Sequence, residues 1–227
     1  MKNMTFGLHS HAHMKPLTVK LQEDIDVRDV VAIAEEAATA IMAVYHSENW
    51  EVEHKLDKSP LTRADREANA IICRGLRLFE ENQLVDYNIR SRYQYSWCVD
   101  PLDGTKEFLK RSGEFTVNIA LLKGSKPVLG VVQIPAQGKA YWAVAGHGAW
   151  CRPSKEAPPK QIHCATFNLS SPGLVIVGSV NHGSAETSEF VADFKEPKFA
   201  AMGSSLKLLM VGLAQSFLTH LSAILTS

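Results

Sequence analysis

The sequence lacks an excess of charge of either sign. Its 227 residues carry 24 basic and 24 acidic side chains, so the formal net charge is zero at pH 7. Proteins that bind nucleic acid or a membrane surface through a global field carry a clear basic excess. The balance therefore argues against both classes of partner, and recognition of an anion must come from a local site.

Paired cysteines are also missing. The four cysteines are widely spaced and form no C-x-x-C pair: Cys73, Cys98, Cys151 and Cys164. This spacing suits neither a zinc site nor a disulfide framework. We therefore expect a reducing compartment. The cytoplasm is the primary prediction, and an organelle such as a mitochondrion or plastid is the alternative.

Long apolar runs are scarce, which bears on both ends of the chain. Residues 1–22 contain no apolar core of the kind that a secretory signal needs, and we expect them to form a flexible tail. The stretch Leu208–Leu225 is uncharged and just long enough for a membrane span. It contains Gln215 and His220, which a lipid-facing helix tolerates badly, so we predict instead a buried helix that leads into an apolar tail.

The sequence does contain two helical patterns followed by a series of strands. Apolar residues recur every three or four positions from Val27 to Tyr45, which indicates an amphipathic helix. A second helix follows SPLTRAD, with Thr62 or Asp65 as its cap and an apolar stripe that reaches Phe79.

After residue 94 the pattern changes to that of short strands. YSWCVDP predicts a buried strand that stops at Pro101, and further strands are predicted at FTVNIALL, PVLGVVQIP, KAYWAVA, GHGAWC and GLVIVGSV. Helices are predicted near TSEFVADF and after GSSLK. The proline-rich stretch RPSKEAPPK is the predicted boundary between subdomains at 23–155 and 160–227. This order predicts a layered α+β fold.

Two acids, Asp100 and Asp103, stand close together in WCVDPLDGTKEF. A strand that ends at Val99 would deliver Asp100 to the edge of a sheet, and a turn at Pro101 would bring Asp103 to the same point. Gly104 then allows close approach of a ligand. Carboxylate oxygens beside helix-start amides suit a divalent cation and a phosphate, with Mg²⁺ preferred over zinc. The alternative is that Asp100 ends a strand and Asp103 caps a helix.

The longer string DPLDGTKEFLKRSGEFTVNIALL resembles the signature of the inositol monophosphatase superfamily, and within it the 3'(2'),5'-bisphosphate nucleotidase branch. SPLTRAD and MGSSLK fit the same branch. The resemblance implies a layered α/β/α/β sandwich whose N-terminal α+β subdomain binds Mg²⁺. It also implies a lithium-sensitive phosphatase that uses metal-activated water to hydrolyse a small-molecule phosphate monoester, 3'-phosphoadenosine 5'-phosphate.

The resemblance assigns roles to individual residues. It implies that Asp65 and Thr105 are catalytic and orient the attacking water, and that the metal ligands are Glu80, Asp100, Leu102 and Asp103. The substrate-binding positions that it implies are Leu102, Asp103, Gly104, Thr105, His182, Ser204 and Lys207.

The chain also departs from the family's pattern. Glu80 follows Asp65 by only fifteen positions, a shorter separation than the family's, and no Trp-Asp pair follows Lys207 to supply a further metal ligand. From this we expect an incomplete C-terminal subdomain and impaired or absent phosphatase activity. Two alternative functions therefore remain: an inositol- or sugar-phosphate phosphatase, and a catalytically impaired relative that binds nucleotide.

Overall fold

The computed structural model describes residues 18–19, 25–47, 49–54, 60–77, 86–164, 168–179, 185–212 and 217–219. The predicted N-terminal tail lies outside these residues apart from a two-residue strand, Thr18–Val19, which pairs antiparallel with Ile25–Asp26.

The described residues form six α-helices and thirteen strands. The helices are α1 (Val27–His46), α2 (Arg63–Gly75), α3 (Tyr87–Arg90), α4 (Thr105–Leu109), α5 (Ala185–Ala192) and α6 (Leu206–Gly212). The strands are β1 (Thr18–Val19), β2 (Ile25–Asp26), β3 (Glu53–His54), β4 (Pro60–Leu61), β5 (Tyr95–Asp103), β6 (Thr116–Lys123), β7 (Lys126–Ile134), β8 (Lys139–Val144), β9 (Gly148–Arg152), β10 (Lys160–Ile162), β11 (Val175–Ser179), β12 (Lys198–Met202) and β13 (Phe217–Thr219).

The centre of the fold is a six-stranded antiparallel sheet in the order β10-β9-β8-β7-β6-β5. Helix α1 packs on one face of this sheet and against α2. The apolar stripe of α1, with Ala34 and Ile41 fully buried, meets the inward side chains of β6, which include Val117 and Ile119. The helical period of α1 and the alternation of β6 therefore produce one shared core, as the sequence predicts.

The other face of the sheet carries a second, smaller core. Ile134, Tyr141 and Cys151 project from β7, β8 and β9 and pack with Leu206 of α6. Helix α6 in turn contacts a three-stranded parallel sheet of order β12-β11-β13. The first layer is α1 with α2, the second is the large sheet, the third is α6 and the fourth is the small sheet. This agrees with the predicted α+β sandwich.

Strand β5 corrects one prediction. It does not stop before Pro101 but continues to Asp103, and its side chains alternate between more and less exposed instead of being buried throughout. Proline is tolerated because β5 is the edge strand, so no neighbour needs the missing N–H. Between Asp100 and Asp103 the register with β6 shifts by one residue, which makes a β-bulge.

The apolar C-terminal segment was predicted as a buried helix that leads into an apolar tail. Helix α6 ends at Gly212, and Phe217–Thr219 form a strand parallel to β11. Among the described residues, no helix is long and apolar enough to cross a membrane.

The proline-rich stretch before Lys160 connects adjacent strands, because β10 pairs antiparallel with β9. The large sheet therefore extends to Ile162, and the division into subdomains at 23–155 and 160–227 stays a prediction.

Candidate active site

A cleft of about 390 Å³ opens where β5, the start of α2 and α4 meet. Six of the residues singled out in the sequence line it: Asp65, Asp100, Leu102, Asp103, Gly104 and Thr105. The structure therefore brings together residues that are up to forty positions apart in the chain. Glu80 and His182, predicted as a metal ligand and a substrate contact, lie outside the described residues.

Asp65 sits in the first turn of α2 and is 6% exposed. The amide and the hydroxyl of Thr62 both donate to its Oδ2, at 2.8 and 2.7 Å. The positive end of the α2 dipole further stabilises the carboxylate. Thr62, itself fully buried, is the N-cap residue, so both residues that the sequence offered as the cap take part in the helix start.

Thr105 begins α4 and reaches back toward α2. Its Oγ1 lies 3.4 Å from Asp65 Oδ1 and 3.3 Å from the carbonyl oxygen of Leu102. A hydroxyl has one hydrogen, so Thr105 donates to one of these two acceptors at a time. The hydroxyl retains its lone pairs for a donor that enters the cleft.

The β-bulge presents three oxygen-bearing groups to the cleft. Asp100 Oδ1 accepts from the Leu102 amide at 3.3 Å. The Leu102 side chain is 3% exposed and belongs to the main core, while its carbonyl accepts from Thr105. Asp103 Oδ2 accepts from the Ser205 amide at 2.6 Å. The bulge therefore buries an apolar anchor and leaves polar atoms on the outer side.

Gly104 is required by the backbone and by its surroundings. It has φ +90°, and a Cβ there would lie 2.9 Å from the carbonyl oxygen of Glu114 and 3.0 Å from Ser204 Cβ. The sequence suggested that this glycine allows a ligand to approach. In the structure the close approach is made by the chain's own backbone, which seats α4 against the segment before α6.

Ser204 and Lys207 lie at the start of α6, on the Gly104 side of the cleft. Ser204 has a left-handed backbone with φ +51°. Lys207 Nζ donates to the Ser204 carbonyl at 2.6 Å. Its charge is therefore held beside the segment that touches Gly104, and because an ammonium has three N–H donors this contact leaves donors for a phosphate.

The oxygen atoms at the β-bulge are of the chemical type that binds a hard divalent cation. Carboxylate oxygens of Asp100 and Asp103 and the Leu102 carbonyl are the ligands that Mg²⁺ and Ca²⁺ prefer. No described residue donates a hydrogen bond to Asp103 Oδ1. Over the ranges that the structure describes, which leave out Glu80, no group of three or more His, Cys, Asp or Glu side chains is placed to hold a metal ion.

Three residues around the cleft were not singled out from the sequence: Thr116, Asn118 and Ser205. Ser205 Oγ lies 2.8 Å from Thr116 Oγ1 and donates to Asn118 Oδ1 at 3.0 Å. The available signal was the alternation of polar and apolar residues in FTVNIALL. It places Thr116 and Asn118 on the face of β6 opposite the main core.

This chain is similar in sequence to proteins of one known family. The sequence profile of the inositol monophosphatase family matches residues 22–220. The 3'(2'),5'-bisphosphate nucleotidase CysQ of Escherichia coli is 39% identical over 195 residues, covering 82% of this chain and 76% of the relative. The protein of the same name from Salmonella typhimurium is 38% identical over 198 residues, covering 84% and 78%.

A solved structure is also similar to this chain in fold and sequence. The crystal structure of CysQ from Bacteroides thetaiotaomicron, described as a bacterial member of the inositol monophosphatase family, is 32% identical and superposes with a TM-score of 0.66. It covers 82% of this chain and 76% of that one. From the profile match, the identity to these relatives and the layered fold, we conclude that the chain belongs to the inositol monophosphatase family.

Proposed function

We propose that this chain is a phosphoric monoester hydrolase of the bisphosphate nucleotidase type. In this proposal it hydrolyses 3'-phosphoadenosine 5'-phosphate to AMP and inorganic phosphate, with Mg²⁺ as its cofactor. Relatives at 36 to 39% identity carry the name 3'(2'),5'-bisphosphate nucleotidase, which supports this substrate class. The observation that carries the proposal is the approach of Thr105 Oγ1 to Asp65 Oδ1, 3.4 Å apart beside the bulge acids.

Asp65 and Thr105 can together accept a proton from water. The Thr105 hydroxyl accepts a hydrogen bond from a water in the cleft and donates its own hydrogen to Asp65 Oδ1, which makes the water oxygen more nucleophilic. That oxygen then bonds to phosphorus as the bond to the ribose 3' oxygen breaks; the proton lost by the water passes through Thr105 to Asp65, and the ribose oxygen takes its proton from solvent. Thr62 holds Asp65 in place through two hydrogen bonds to Oδ2.

The family is generally metal-dependent, which supports a metal cofactor. Asp100, the Leu102 carbonyl and Asp103 would hold Mg²⁺, with Glu80 as a further proposed ligand. Bound there, the ion supplies positive charge that stabilises the phosphoryl oxygens during transfer.

We further propose that the substrate contacts Leu102, Asp103, Gly104 and Thr105. The remaining proposed substrate contacts are His182, Ser204 and Lys207. Lys207, whose ammonium also donates to the Ser204 carbonyl, would act as a point charge toward a phosphate. The cytoplasmic location is likewise a proposal, and fractionation of the source cells separates it from the organelle alternative.

Phosphate release from 3'-phosphoadenosine 5'-phosphate tests the proposal, measured with Mg²⁺ and again with EDTA. We expect Mg²⁺-dependent release and a higher kcat/KM than for inositol 1-phosphate. Asp65→Asn is the matched variant that should lack activity. Its amide oxygen still accepts hydrogen bonds from Thr62, but the side chain cannot take the proton from water. Equal or greater kcat/KM for inositol 1-phosphate would favour the broader phosphatase. Nucleotide binding in calorimetry without phosphate release would identify a catalytically impaired relative.

A further inference from the structure

The segment Gly203–Ser205, just before α6, is held against the cleft by two carboxylates. The Gly203 amide donates to Glu114 Oε2 at 2.9 Å, and the Ser205 amide donates to Asp103 Oδ2 at 2.6 Å. A Cβ at Gly203 would lie 2.6 Å from Glu107 Cγ, so the segment is pressed against the α4 side of the cleft. Asp103 and Ser205 are thus in direct contact across 102 positions of sequence.

A buried hydroxyl network fixes the position of Ser205. Its hydroxyl donates to Asn118 Oδ1 at 3.0 Å. Because that hydroxyl has one hydrogen, the 2.8 Å contact with Thr116 Oγ1 is a hydrogen bond donated by Thr116. Thr116 is fully buried, so its hydroxyl has no contact with bulk water in the structure. Ser205 is therefore held by both partners on β6.

The same two residues of β6 face the two acids of the bulge. In the register of the sheet, Thr116 pairs with Asp103 and Asn118 pairs with Asp100. Thr116, one of the two residues that hold Ser205, therefore lies directly opposite Asp103, whose carboxylate accepts from the Ser205 amide. Movement of Ser205 away from β6 would carry its amide away from Asp103 Oδ2.

Helix capping does not account for the Ser205 hydroxyl. A serine before a helix usually accepts a hydrogen bond from a backbone amide of the first turn. Here the Leu206 amide donates to Ser204 Oγ at 3.3 Å, while the Ser205 hydroxyl donates to a side chain of β6. The hydroxyl of Ser205 therefore serves the contact between α6 and the sheet.

We propose that Ser205 is a positioning residue for Asp103. Its amide holds Oδ2, the hydroxyl network with Thr116 and Asn118 holds that amide in place, and Oδ1 is thereby directed to a divalent cation. This inference rests on the proposed function, since it assumes that Asp103 is a cation ligand. Partners that orient a ligating carboxylate in this way raise the affinity of a metal site without touching the metal.

Isothermal titration of Mg²⁺ into the substrate-free chain tests the proposal, with Ser205→Ala and Thr116→Val as the variants. We expect each to weaken Mg²⁺ binding by about tenfold, the lower end of the effect of losing a ligand's hydrogen-bonding partner. Thr116→Ser keeps the hydroxyl and should bind as the wild type does. Thr39→Val is the matched control, because it removes a hydroxyl that bonds only to the Glu35 carbonyl within α1.

Thermal unfolding without Mg²⁺ is measured on the same samples. A purely structural role would lower the Tm of Ser205→Ala and Thr116→Val but leave the Mg²⁺ dissociation constant unchanged, and this result would overturn the proposal. If Ser205→Ala does not fold, the Mg²⁺ dissociation constants of Thr116→Val and Thr116→Ser still test the proposal. A wild-type chain that binds no divalent cation overturns the proposed function and this inference together. Wild-type binding with unaltered variants overturns the inference alone.

Discussion

At the residue scale, the proposed chemistry depends on the hydrogen bonds that two threonine hydroxyls donate to one carboxylate. Thr62 directs its amide and hydroxyl to one oxygen of Asp65, and Thr105 approaches the other. The carboxylate is nearly buried at the start of a helix, where the helix dipole favours its charged form. Asp65 and Thr105 can therefore take up a proton from water only if residue 105 carries a hydroxyl.

Replacement of Thr105 by valine removes that hydroxyl at nearly constant volume. We expect kcat to fall by about a hundredfold, the lower end of what general acid–base groups contribute. Thr105→Ser keeps the hydroxyl and should retain most of the activity. Steady-state rates with 3'-phosphoadenosine 5'-phosphate check this. A valine variant with the wild-type kcat would show that Thr105 has no part in the proton transfer.

Gly104 provides a test of packing at single-residue scale. Gly104→Ala adds a Cβ 2.9 Å from the Glu114 carbonyl oxygen, on a backbone with φ +90°. Gly124→Ala is the matched control, since its φ is +58° and no atom lies within 4 Å of the added Cβ. The left-handed backbone alone costs about 1–2 kcal/mol.

We therefore expect Gly104→Ala to lower the free energy of unfolding by more than Gly124→Ala does. Urea denaturation of both variants measures the difference, with the slope of the transition as the check that both unfold in the same way. Equal losses would mean that the segment before α6 moves aside without cost.

At the element scale, the site depends on where strands and helices begin and end. The β-bulge in β5 adds one residue between Asp100 and Asp103, so both acids and the Leu102 carbonyl reach the cleft while the Leu102 side chain stays in the core. An unbulged strand would alternate strictly and could not present successive groups in this way.

Helix α1, which supports the sheet, begins with a charged cap that can be tested by pH. Asp26 Oδ1 accepts from the Arg28 amide at 2.9 Å, and its carboxylate also pairs with the Arg28 guanidinium. Burial alone would raise the pKa of Asp26, but the hydrogen bonds and the charge of Arg28 outweigh it, so the pKa is lowered. The stabilisation is therefore present above the ordinary aspartate range and is lost as the pH falls through the lowered pKa.

We expect Asp26→Ala to cost about 1 kcal/mol of unfolding free energy at pH 7, as loss of a helix cap does. The difference from wild type should shrink in acid. Asp26→Asn keeps a cap acceptor without the charge and should show little of this pH dependence. Urea unfolding at neutral pH and at about pH 3, below the ordinary aspartate pKa, measures both effects. A difference that stays constant with pH would contradict the assigned role of the charge.

At the scale of the whole molecule, the cleft joins parts of the chain that lie far apart. Asp65 comes from α2, Asp103 from the edge strand, and the amide that binds Asp103 from the segment before α6. A ligand that binds this assembled site but not the unfolded chain must stabilise the fold.

Mg²⁺ should therefore raise the Tm of the wild-type chain. At a Mg²⁺ concentration one hundred times the dissociation constant, binding adds about 2.7 kcal/mol to the free energy of unfolding. Asp103→Asn keeps an acceptor for the Ser205 amide but lacks the charge, so we expect a smaller rise. Differential scanning fluorimetry measures both, and EDTA should reverse the shift. An equal rise in Asp103→Asn would mean that the cation binds elsewhere.

The elements that were predicted well are those decided by local periodicity. Helix α1 and strands β6 to β9 follow from apolar residues at periods of about 3.6 and 2, because their cores need one continuous apolar face. The predicted end of β5 at Pro101 was wrong because proline is excluded from central strands but not from an edge. Whether a strand lies at the edge of a sheet depends on strand order, which the tertiary structure sets. The strand Phe217–Thr219, in the segment predicted as an apolar tail, was not predicted, because composition alone does not separate a strand from other apolar structure.

The sequence by itself determined the family, the layered fold and the identity of the acids near Gly104, because these depend on residue types at short spacings. Only the tertiary structure decided which partners those acids have. The contact of Ser205 with Asp103, its network with Thr116 and the approach of Thr105 to Asp65 join distant parts of the chain. Such contacts follow from how sheet faces and helix starts pack, and no local pattern specifies them.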